Sequence, residues 1–158
     1  MIRFIRWLLL AAGLLSAFLI WISAFEKNLP AKLSGDYEIW RTSVYDRAVC
    51  LTEPERPNIG HIVIPSYVDA VAFDQDYVFA QHLQKNKDQY PPISENSERS
   101  YYSIVIATGE VLGPMTEAEF EEWYAALGRE EPPKWISTKN QPALIDRWEE
   151  LNPGQSYE

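Results

Sequence analysis

Residues 101–128, YYSIVIATGEVLGPMTEAEFEEWYAALG, carry the change of period that decides the fold class. Residues 101–107 are a short apolar run rich in β-branched and aromatic side chains, which predicts a strand. Thr108, Gly109 and Glu110 read as a turn. Val111 and Leu112 form a brief return, and Gly113-Pro114 stops it. The next residues start a helix. Thr116 caps, Glu119 three residues on completes a capping box, and Met115 and Phe120 are spaced for a hydrophobic staple. Phe120, Trp123, Tyr124 and Leu127 fall on one helical face, and Gly128 supplies the stop. A helix of this kind buries its aromatic face on a sheet. The fold class predicted is therefore α+β.

Downstream, residues 129–140 read as a linker with Pro132-Pro133 and Trp135. Residues 142–151 form a second helix, with Leu144, Ile145, Trp148 and Leu151 on one side. The tail 155–158 is expected to be loose.

Upstream, strand signals follow one another at 37–40, 44–51, 59–64, 67–73 and 77–84. Residues 52–58 hold two prolines and read as a loop. Asp74-Gln75-Asp76 reads as a hairpin turn. Short spacings between strands favour an antiparallel meander. The expectation is a mostly antiparallel sheet of about five to six strands with one or two packed helices. Residues 85–100, KNKDQYPPISENSERS, are polar and without period, with only Tyr90 and Ile93 to anchor them.

At the other end, residues 7–25, WLLLAAGLLSAFLIWISAF, are nineteen residues without a charge. About twenty apolar residues cross a hydrocarbon core as a helix. The run is longer than a secretory apolar stretch, and Ile22 stands where signal cleavage prefers a small residue. An uncleaved transmembrane anchor is expected, contacting the lipid bilayer through residues 7–25. Arg3 and Arg6 precede it, so the N-terminus stays cytoplasmic and the domain lies outside. The organisation expected is a cytoplasmic leader at 1–6, the anchor at 7–25 and a stalk at 26–35. A globular domain at 36–128 and a linker, helix and tail at 129–158 complete it. The place is a bacterial inner membrane, with the domain periplasmic or extracellular.

The chain has 158 residues and a formal net charge of −9. With Arg3 and Arg6 set aside, 12 basic residues face 23 acidic ones, a net of −11 for residues 26–158. Such a domain is repelled by nucleic acid, so no nucleic-acid partner is expected. A basic protein partner is compatible with it.

Chemistry-bearing residues are few. Cys50 is the single cysteine, so no intramolecular disulfide forms. His61 and His82 are the only histidines and share no metal-ligand spacing. Neither a metal nor another cofactor is expected. Asp74-x-Asp76 lacks the further oxygen ligands and the glycine of a calcium loop. A Cys50/His61 nucleophile pair is conceivable on residue type alone, yet Cys50 sits in the apolar run Ala48-Val49-Cys50-Leu51 and reads as a core residue. The reading is a non-enzymatic protein-binding domain, with Tyr90 and Trp135 as candidate partner contacts and an immunity or inhibitor role as a specific version. The alternatives are an accessory subunit of a membrane complex, held through residues 7–25, and a small envelope enzyme using His61, His82 or Cys50.

One pattern spans residues 35–128. It comprises Ile62-Val63-Ile64-Pro65, residues 68–73, Asp74-x-Asp76-Tyr77-Val78-Phe79-Ala80, Tyr101-Tyr102-x-Ile104-Val105-Ile106, and Gly109-Glu110-Val111-x-Gly113-Pro114 before an acidic helix. The pattern resembles a family of small bacterial envelope proteins of unknown function. The resemblance implies export, anchoring and an α+β fold, and brings no catalytic residues. The chain departs from that family in having no lipid-attachment cysteine after the apolar run.

Overall fold

The computed structural model describes Ser16 and residues 30–42, 46–84 and 97–157, without the side chains of Pro57 and Asn58. The expected leader and anchor, and most of the polar stretch at 85–100 with Tyr90, lie outside the described residues. Among the described residues no helix is long and apolar enough to cross a membrane.

The fold is α+β and antiparallel, but two sheets replace the expected single one. The first has the order β1-β2-β3-β4, with β1 Ala31–Lys32, β2 Tyr37–Arg41, β3 Arg47–Glu53 and β4 Arg56–Ile64. The second has the order β8-β7-β6-β5-β9. Its strands are β5 Val68–Phe73, β6 Tyr77–Leu83, β7 Arg99–Val105, β8 Glu110–Met115 and β9 Ile136–Ser137. Two helices follow, α1 Glu117–Ala126 and α2 Gln141–Leu151.

Period-2 alternation gives each sheet two faces, and the packing of those faces builds three layers. Ile39, Val49 and Ile64 of the first sheet pack against Val71, Phe73, Val78, Ala80 and Ile104 of the second. Leu144 and Trp148 of α2 close that core from the side. The opposite face of the second sheet carries Ala72, Phe79 and Tyr101, and these meet Phe120 of α1. The order is therefore sheet, sheet, helix, with the second sheet apolar on both faces. Its strand residues read as nearly continuous apolar runs for that reason.

Two sequence features expected to end strands lie inside them. β4 begins at Arg56 and runs through Pro57, and β8 runs through Gly113-Pro114. Both are edge strands, where a missing N–H costs no ladder bond. The expected loop at 52–58 shrinks to a two-residue turn at 54–55. The tail is not loose at Tyr157. Its hydroxyl accepts a 2.7 Å hydrogen bond from the Lys32 backbone N–H, and its ring meets Trp148 edge-on at 5.3 Å.

Candidate functional site

The helix layer presents the most organised surface. Thr116 Oγ1 accepts from the Glu119 N–H at 3.3 Å, and Glu119 Oε2 accepts from the Thr116 N–H at 2.7 Å. The capping box expected from T-x-x-E is therefore formed, and the hydrogen bonds that the Glu119 carboxylate accepts from the Thr116 N–H and, at 2.8 Å, from the Thr116 hydroxyl hold it below its usual range. The buried face of α1 places Phe120, Trp123 and Tyr124 around Phe79, with ring centroids 5.4–6.1 Å apart. Edge-to-face pairs of this kind contribute about 0.5–1.5 kcal/mol each beyond area burial.

With its aromatic side committed, α1 turns an acidic side outward. Glu117, Glu121 and Glu122 are exposed, and no basic residue occurs in the helix. Glu130 and Glu131, just beyond it, are exposed as well. Tyr101 donates its hydroxyl to Glu117 at 3.2 Å, and Tyr124 donates to the Glu131 carbonyl at 2.9 Å. These bonds tie the acidic ridge to the aromatic layer.

A cleft of about 320 Å³ adjoins the end of the ridge, lined by Phe73, Phe79 and Tyr124, by the cations Arg129, Lys134 and Arg147, and by the carboxylates Asp74, Glu130 and Glu131. Arg129 lies over the Tyr77 ring at 5.0 Å and forms an ion pair with Asp74. Asp76 is 3.8 Å away on its other side. Arg147 donates to the Phe73 carbonyl at 3.2–3.3 Å and to Glu150 at 2.6 Å. Both guanidinium groups are thus held by acceptors of the chain itself. Asp74 Oδ1 meanwhile accepts from the Asp76 and Tyr77 N–H groups, which makes the hairpin turn read from the sequence. Its other oxygen takes Arg129, a partner 55 residues away that no local pattern announces.

Trp135, a candidate contact, is half-buried, 6.0 Å from Tyr101 and 5.8 Å from Phe120. It borders this same layer, with part of its indole accessible. Tyr90 lies outside the described residues.

The three residues considered for catalysis are not brought together. Cys50 pairs with Ile62 across β3 and β4, and His61 pairs with Leu51, so thiol and imidazole project from opposite faces of the sheet. Cys50 is 1% exposed. Burial, then the nearby Glu38 carboxylate, push its thiol up to about 11, the reverse of an activated nucleophile. His61 is exposed and bonds Glu53 at 3.0 Å. His82 lies in the other sheet, with Nδ1 3.3 Å from the hydroxyl of the buried Ser100. Burial lowers its pKa, and a hydrogen bond to the Ser66 backbone opposes that shift. The Ser100 contact was not legible in the sequence, because the two residues meet only through the β6–β7 register. Among the described residues no group of three or more His, Cys, Asp and Glu is placed to hold a metal ion.

Comparison with curated proteins and with solved structures returns no match. A family model does match, over residues 34–129, a span that takes in β2 through α1. The chain belongs to that family, described as protein of unknown function (DUF3997).

Proposed function

We propose that the chain is a membrane-anchored binding domain for a basic protein partner, contacted through α1 and the segment that follows it. The observation that carries this reading is the outward face of α1 and its continuation. Glu117, Glu121, Glu122, Glu130 and Glu131 form an exposed acidic ridge on a helix without a single cation. A ridge of one sign steers an oppositely charged partner and gives salt-sensitive binding. Tyr124 and Trp135, both half-buried and both beside Phe120, supply aromatic surface of the kind that anchors contacts. The anchor rests on the nineteen uncharged residues 7–25 and on Arg3 and Arg6 before them. In this reading the domain lies outside the cytoplasmic membrane of a bacterium.

Site-specific photo-crosslinking in intact cells tests the contact. A photoreactive residue at Ala118 or Glu121, both exposed on α1, captures one basic protein in this reading. The same residue at Glu55, in the exposed turn between β3 and β4, does not capture it. Equal capture from both positions, or capture of an acidic protein, contradicts the proposal. Topology is tested with Glu121→Cys and a membrane-impermeant thiol reagent, since native Cys50 is too buried to report. Labelling only after lysis of the inner membrane overturns the outward placement.

A further inference from the structure

We infer that the outward face of the first sheet, around Trp40 and Ile62, rests on the surface of the bilayer that holds residues 7–25. The inference builds on the anchor read from those residues. Phe25 ends the apolar run, and Ala31 begins β1 six residues on. Six residues reach at most roughly 20 Å, and the headgroup layer takes about 5–7 Å of that. A domain of this length has a radius of gyration of about 14 Å, so it stays beside the headgroups. β1 belongs to the first sheet, whereas α1 packs on the far side of the second. The tether therefore enters the layer opposite the acidic helix.

The chemistry of this face suits a lipid surface. Strand register sets Glu38, Cys50 and Ile62 side by side, with Trp40 beside Ala48 and Thr52 beside Gly60, all on one side of the sheet. The other side carries Ile39, Val49 and Ile64 into the core. Ala48 and Cys50 are small and buried, and the Trp40 indole lies across this low stripe, 3.1 Å from where a Cβ on Gly60 would stand. Trp40 Nε1 donates to Glu38 at 2.9 Å, which satisfies the polar edge of the ring. Ile62 is 59% exposed, and with Ile59 it makes two of the three exposed large apolar side chains among the described residues. A tryptophan and exposed aliphatic side chains on one face settle at headgroup level.

Charge selects the same side. The strands of the first sheet hold Lys32, Arg41, Arg47 and Arg56 against Glu38 and Glu53, with Asp36, Asp46 and Glu55 between them. α1 and the segment after it hold six glutamates, at 117, 119, 121, 122, 130 and 131, against Arg129. Anionic headgroups repel that second surface far more than the first. The same orientation turns the acidic ridge away from the membrane, where a basic partner reaches it.

The test uses the full chain with Cys50→Ala as background, reconstituted in vesicles of phosphatidylethanolamine and phosphatidylglycerol. A fluorophore is attached at Ile62→Cys or, on the opposite side, at Glu121→Cys, and lipids with a spin-labelled headgroup serve as quencher. Quenching at position 62 should be several-fold stronger than at position 121. Adding Arg56→Glu and Ile59→Asp, both at exposed positions, should remove most of that difference while the melting temperature is retained. A difference that survives these substitutions contradicts the proposal. Equal quenching at the two positions, or stronger quenching at 121, overturns it with the anchor intact. Release of the chain from the vesicles by alkaline carbonate shows instead that the anchor has failed, and the proposal with it. An Ile62→Cys label shielded from aqueous iodide but untouched by the spin-labelled lipid overturns it in favour of a protein covering this face.

Discussion

The backbone N–H of Lys32 donates a 2.7 Å hydrogen bond to the hydroxyl of Tyr157, 125 residues later in the chain. This bond closes the β1 edge with the C-terminal tail. The Lys32 ammonium adds to it, lying 5.3 Å over the Trp148 ring and 5.6 Å over the Tyr157 ring. Tyr157→Phe removes the acceptor and should destabilise the fold by about 0.5–1.5 kcal/mol. Tyr157→Ala also removes the ring and should cost more. Urea denaturation of the two variants checks the order; equal stability with the parent would show the tail to be idle.

Gly113 and Gly128 both have positive φ, +123° and +70°, yet they face different surroundings. A Cβ at Gly113 would come within 2.6 Å of the Tyr101 carbonyl oxygen and 2.9 Å of the Tyr102 ring, whereas at Gly128 nothing lies within 4 Å. Gly128→Ala should therefore cost only the left-handed penalty of about 1–2 kcal/mol. Gly113→Ala should cost clearly more, or prevent folding. The reverse ranking in thermal denaturation would contradict the packing of β8 on β7.

Thr116→Ala removes the side-chain acceptor of the capping box and should destabilise by about 1 kcal/mol. Glu119→Gln keeps a side-chain acceptor for the Thr116 N–H and should lose less. Denaturation midpoints, with unchanged denaturant dependence, provide the measurement.

Acid and alkaline limbs of stability have separate origins. His82 has a folded pKa lowered by burial from 6.5. The unfolded chain therefore binds its proton first, and the associated stability is present above pH 6.5 and lost as pH falls through the lowered value. His82→Gln should flatten this acid limb. Tyr37, Tyr101 and Tyr157 have pKa values raised from 10.0, chiefly by burial. Their stability is full below pH 10 and lost as pH rises through the raised values. Melting temperatures between pH 4 and pH 11 check both signs.

Cys50 should resist alkylation at pH 8 in the native protein and react at once on unfolding, because it is buried and its thiol is pushed up to about 11. Fast native labelling, counted by mass spectrometry, would refute that placement.

Much of this was legible in the sequence wherever period and chemistry coincide locally. In 101–128 the strand, the Thr116 cap, the Phe120 face and the Gly128 stop all depend on near neighbours, and all are found. Prolines misled at 52–58 and at Gly113-Pro114, because a proline forbids a central strand but not an edge one, and edge position is a property of the whole sheet. The division into two sheets was hidden for a like reason. Ile64 and Val68 are four residues apart in the chain, yet they end one sheet and begin the other. The Asp74–Arg129 pair and the Lys32–Tyr157 bond are long-range and leave no local trace. The acidic glutamates of α1 were legible as a solvated face, and only the packing of Phe120, Trp123 and Tyr124 beneath them shows which way they point.

The most direct test of a basic partner is capture from solubilised envelope by the full chain and by its Glu121→Lys/Glu122→Lys variant, side by side at low and high salt. The expected result is one basic protein held in stoichiometric amount by the parent, released as salt rises and lost with the variant. Capture that is indifferent to both salt and charge reversal would contradict the account.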